Sequence, residues 1–165
     1  MNRVHVMVCL TVAVAFLFAG CGKSGEMKKL EAGLNTEVMQ KHDDLMKAVS
    51  GLNATADQIT ALLAQHDSLA QLFPKEVVGH ETTDLVAAKE KLAAAKEAMM
   101  TWMKGFRPYD PTAKHEEVMA QLQKTKDDLA GISGQFDEAL AAAKTAVENH
   151  TAFAAGLAAK IPKKK

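Results

Sequence analysis

Cysteine and aromatic residues are scarce in this chain, and proline nearly so. Two cysteines in 165 residues exclude a disulfide framework. Aromatics at 5% argue against a sheet protein, which draws on β-branched and aromatic side chains. Net charge is missing as well: 20 basic residues balance 20 acidic ones, which leaves no basic footprint for nucleic acid. There is no glycine-rich phosphate loop, no trustworthy Ser-His-Asp order, no cysteine pair and no CxxCH haem attachment, so an enzyme is not expected. What the chain does hold is Ala, Leu, Met, Lys and Glu, a mix suited to long helices in a domain of ordinary size.

The N-terminal segment 1–20 reads as an export leader. Arg3 supplies the positive charge, and Val6–Ala19 is an apolar run interrupted only by Thr11. Such a run is too short to span a bilayer and fits a signal-peptide core. It ends in Leu17-Phe18-Ala19-Gly20-Cys21, which resembles a bacterial lipobox, with Phe18 where Leu is commonest. That resemblance implies a diacylglycerol on Cys21, cleavage before it, and loss of Cys9 with the leader. Several acyl chains hold a protein to a bilayer far more firmly than one. Gly22 stands where Asp would mark inner-membrane retention in such lipoproteins, so the resemblance implies the outer membrane, facing the periplasm. Losing Arg3 with the leader leaves one acidic residue in excess.

Residues 21–25 then form the lipidated cysteine and a short tether, and 26–160 the helical domain. Leu45, Val49, Leu52, Ala56, Ile59, Leu63, His66, Ala70 and Phe73 alternate spacings of four and three, a heptad seam that keeps phase across Gly51. The spacing predicts one long helix over about 26–72, with Gly51 as a place to bend, stopped by Pro74. Residues 74–81 read as a loop and Thr83 as the cap of a second helix that ends at Gly105. Leu85, Leu92, Met99, Met103 and Phe106 mark its apolar side. Asp110 is expected to cap a last helix with Pro111 at its first position. Its seam runs Val118, Leu122, Leu129, Ile132, Phe136, Leu140, Ala143, Val147, His150, Ala154, Leu157 and Ile161, with Gly131 and Gly134 as the expected bend. Leu92-Ala-Ala-Ala-Lys96 recurs as Leu140-Ala-Ala-Ala-Lys144, alanine faces that let helices approach closely. The expected fold is all-α: an antiparallel bundle of three or four long, coiled-coil-like helices.

Methionine and histidine are the one unusual feature. Met1 and Met7 fall in the leader, and the remaining seven of nine methionines are clustered. On an ideal helix with Val38 at zero, Val49, His42, Met46 and Met39 fall at about 20°, 40°, 80° and 100°. His42 thus lies inside the apolar arc, flanked by thioethers. Met99, Met100 and Met103 bracket Trp102, while His115 and Met119 are one turn apart. An antiparallel pairing about residues 105–111 would make Met99 and Met103 face Met119 and His115. Thioethers with imidazole suit Cu(I), which makes Met39, His42, Met46, Met99, Met103, His115 and Met119 a candidate copper set. The plainer reading needs no cofactor: methionine fills irregular core gaps, and His66 and His150 take the same seam placement with no methionine beside them. Haem ligation by Met and His in a bundle is a third possibility, with no marked ligand pair.

The stretches Glu37-Val38-Met39-Gln40-Lys41-His42-Asp43-Asp44-Leu45-Met46 and Ala98-Met99-Met100-Thr101-Trp102-Met103 resemble a group of small bacterial lipoproteins carrying EVMxxHDxxM and AMMxWM segments. These are sometimes labelled viral A-type inclusion-protein-like. The resemblance implies a helical, membrane-anchored protein and no established activity. Lys163-Lys164-Lys165 closes the chain as a basic tail, 161–165. A lipidated helical chain ending in lysine resembles the murein lipoprotein, whose terminal lysine is joined to peptidoglycan; the other reading is a solubilising tail that touches anionic lipid or glycan. The expected role is an envelope interaction or structural module. Its partners would be the bilayer, through acylated Cys21, and peptidoglycan or an envelope protein. A Cu(I)-binding lipoprotein and a peptidoglycan-tethered spacer are the alternatives.

Overall fold

A computed structural model describes the backbone of residues 3–80 and 82–160 and the side chains of residues 24–80 and 82–160. The side chains of residues 1–23, which include the expected leader, Cys9 and Cys21, and the whole of the tail 161–165 lie outside these. The order is α1 (Arg3–Leu72), α2 (Pro74–Val77), α3 (Thr83–Gly105) and α4 (His115–Ala158). Among the described residues there is no strand. The chain is all-α, as its composition and spacing require. Among the described side chains no helix is long and apolar enough to cross a membrane.

Four local expectations are corrected. The first helix does not begin near residue 26: α1 is continuous from Arg3 through Gly22–Gly25, because no proline or competing cap interrupts it. The 74–81 segment is not all loop, since Pro74 opens the single-turn helix α2, its fixed φ suiting a first helical position. Thr83 is the first residue of α3 and not its cap; Thr82 precedes it without a side-chain bond, and Asp84 Oδ1 instead accepts from the Leu85 amide at 2.9 Å. Asp110 does not cap α4. Its carboxylate accepts from the amide and hydroxyl of Thr112 at 2.8 and 2.7 Å, a local turn that satisfies the side chain and delays the helix to His115. Those two bonds hold the Asp110 carboxyl below the usual carboxylate range.

The chain forms two compact units: Met1–Gln40 with Pro108–Asp127, and Lys41–Arg107 with Asp128–Lys165. In the first, α1 and α4 run parallel, since Glu31 meets His115 and Glu37 meets Lys126 further along both helices. Val38, Val118 and Leu122 are its buried apolar residues. In the second, α1 and α4 are again parallel, through Lys41–Ser133 and His66–His150. There α3 runs antiparallel to α1, with Lys96 on Asn53 and Trp102 beside His42. Within this second unit α1, α3 and α4 run up–down–up.

The heptad seam survives in a stricter form. Glu31, Val38, Leu45, Leu52 and Ile59, spaced by seven, are the buried positions of α1 among its described side chains. Val49, Ala56, Leu63, His66, Ala70 and Phe73 are only half-buried. In α4 the buried line passes through Ala139 and Ala146, while Leu140 and Val147 are half-buried. Ala88 and Ala95 of α3 are buried too. Small side chains at these positions suit a close helix contact.

Gly51, Gly131 and Gly134 interrupt neither α1 nor α4. A Cβ built at Gly51 or Gly131 meets nothing within 4 Å. Glycine in a helix interior costs roughly 0.5–1 kcal/mol against alanine. Gly51→Ala and Gly131→Ala should therefore each stabilise the protein by about that amount, read from urea-unfolding midpoints. A fall in either midpoint would show that the glycine is required.

Candidate functional site

The expected copper set divides between the two units. Met39, His115 and Met119 belong to the first, and His42, Met46, Met99 and Met103 to the second. Their environments differ. Met99 is fully buried, Met103 and Met119 are half-buried, and Met39 and Met46 stand more than a third exposed. Each candidate histidine has a carboxylate beside it. His115 Nδ1 donates to Glu31 Oε1 at 2.6 Å, and His42 Nδ1 to Asp43 Oδ1 at 2.9 Å. The Glu31 carboxylate is buried at a heptad position, so the His115 bond gives it the partner that burial demands. His42 also packs against Trp102, with ring centres 5.8 Å apart.

A different histidine group draws together in the second unit. His66 of α1, His80 beyond α2 and His150 of α4 have ring centres 5.3, 5.6 and 6.1 Å apart. Phe153, one turn beyond His150, stacks on His80 at 3.6 Å with the planes 11° apart. Gly79, at φ +92°, takes a left-handed conformation open to glycine and turns the chain so that His80 comes back to the bundle; the His80 amide donates to the Val77 carbonyl at 3.0 Å. His150 is 98% buried, as its 2% exposure shows. His66 Nδ1 and His150 Nε2 are buried with no hydrogen-bond partner among the described residues. A buried imidazole nitrogen without a partner calls for an explanation.

Burial pushes the His150 pKa below its ordinary value, and the neighbouring His66 and His80 charges push it the same way; Asp84 opposes them. A depressed pKa means that the folded state binds fewer protons than the unfolded chain at pH values below the ordinary imidazole pKa of 6.5. Stability therefore rises with pH through that window and is lost as pH falls. The melting temperature of the parent should drop between about pH 7.5 and 5.5 more steeply than that of His150→Leu, which has nothing to titrate there. Equal slopes would contradict this account.

The sequence placed His66 and His150 correctly on their seams but did not join them. The missing information was direction. One offset of 84 residues pairs Glu31 with His115 and, applied to α1 and α4 in parallel, also pairs His66 with His150. An antiparallel reading of neighbouring helices hides that coincidence. His80 carried no periodic signal at all, because it lies in irregular chain. No family model matches this chain, and no curated protein or solved structure is similar to it.

Proposed function

We propose that the chain is a lipid-anchored helical-bundle protein of the bacterial envelope, held at the outer membrane and facing the periplasm, where it acts as an interaction or structural module. One observation carries this reading: the apolar run Val6–Ala19 closes on Leu17-Phe18-Ala19-Gly20-Cys21, small residues directly before a cysteine. After a diacylglycerol is placed on Cys21 and the leader removed, the helical domain would project from the bilayer surface by its own N-terminus. The all-α fold is compatible with such a role. The experiment is labelled-palmitate incorporation into the Cys21→Ser variant beside the parent, in which only the parent should take up label and lose its leader.

A further inference from the structure

We infer that His66, His80 and His150 form a binding site for one divalent transition-metal ion, with Zn²⁺ as the ion to test. Imidazole is a good ligand for zinc, and three histidines with one open position is a recurrent zinc arrangement. The spacing of the rings fits this use. With Zn–N bonds of about 2.0–2.1 Å each ring centre lies about 3.2 Å from the metal, so three rings at tetrahedral to trigonal angles sit about 5.2–5.5 Å apart. The observed His66–His150 separation of 5.3 Å falls inside that range, His80–His150 at 5.6 Å lies at its edge, and His66–His80 at 6.1 Å exceeds it, so these last two rings must draw together on binding.

The second observation is the pair of orphan nitrogens. His66 Nδ1 and His150 Nε2 are buried without a partner, and a bound cation is one of the few things that satisfies such atoms. Asp84 is the acidic residue that acts on His150, and its charge favours a cation there. The nitrogens do not converge in this structure: among the described residues no group of three or more His, Cys, Asp or Glu side chains could hold a metal ion as it stands. Binding therefore requires the rings to turn and His80 to move in. A half-turn of an imidazole about Cβ–Cγ exchanges Nδ1 with Cδ2 and Nε2 with Cε1 while leaving the ring where it is. His80 has the most freedom to follow, since it sits in irregular chain directly after Gly79. Phe153 closes one side of the group with an apolar ring, which limits water on the metal. This site uses none of the methionines and does not depend on the lipid anchor.

The test is a Zn²⁺ titration of the full-length protein, purified in detergent, against a chromophoric chelator. The parent should compete for one Zn²⁺ per chain. Losing a ligand should weaken binding by at least as much as losing an outer partner does, roughly 10–100-fold. His80→Ala is the informative variant, because His80 is half-buried outside the long helices and circular dichroism can confirm that the bundle persists. His66→Gln should behave alike, while His42→Ala and His115→Ala should bind as the parent does. The site is overturned if the parent fails to compete, or if His80→Ala and His66→Gln compete as well as the parent. Loss of binding in His42→Ala or His115→Ala, with the triad intact, would also overturn it.

Discussion

Leu92→Asp is expected to abolish the cooperative thermal unfolding of the helical domain. Leu92 is 1% exposed at the middle of α3, on the face that also buries Leu85, Ala88, Ala95 and Met99. Removing a buried leucine costs about 2–5 kcal/mol, and an unpaired carboxylate in its place costs several more unless it takes up a proton. A domain of this kind is stable by only about 5–15 kcal/mol, so the two losses consume most or all of it. Leu72→Asp is the matched control, because Leu72 is 70% exposed at the end of α1 and should leave the melt almost unchanged. A Leu92→Asp protein melting within a few degrees of the parent would mean that α3 is not packed as described.

Much of this core was readable because heptad spacing reports burial directly. Leu45, Leu52 and Ile59 lie on the predicted seam of α1 and are buried; Val118, Leu122, Leu129, Ile132 and Phe136 do the same for α4. Pro74 marked the end of α1, and Gly105 the end of α3. Finer points failed where local chemistry competed with pattern. Leu63 keeps phase yet is half-buried, while Ala139 and Ala146 outrank Leu140 and Val147 because a close helix contact selects small side chains. Asp110-Pro111 looked like a helix start, but Thr112 offered the carboxylate two nearer donors. Glu31 was invisible as a core residue because a buried carboxylate breaks the apolar pattern, and its partner lies 84 residues away. The histidine group eluded the sequence for a related reason. Spacing within one helix says which residues share a face, but not which helix that face meets or in which direction.

Lipid attachment and removal of the leader should both be lost in Cys21→Ser. Serine preserves size and polarity but lacks the thiol to which the proposed lipid would be joined, so the proposed processing of the leader should stop. Among the described side chains, no helix is long and apolar enough to cross a membrane. An unprocessed species could still be held by its apolar leader, and so fractionation alone mixes two modes of retention. Incorporation of labelled palmitate separates them and tests the lipid anchor most directly. The account predicts that the parent becomes labelled and migrates without its leader, while Cys21→Ser takes up no label and keeps its full length. A parent chain that remains unlabelled, or a Cys21→Ser chain labelled and processed like the parent, would contradict it.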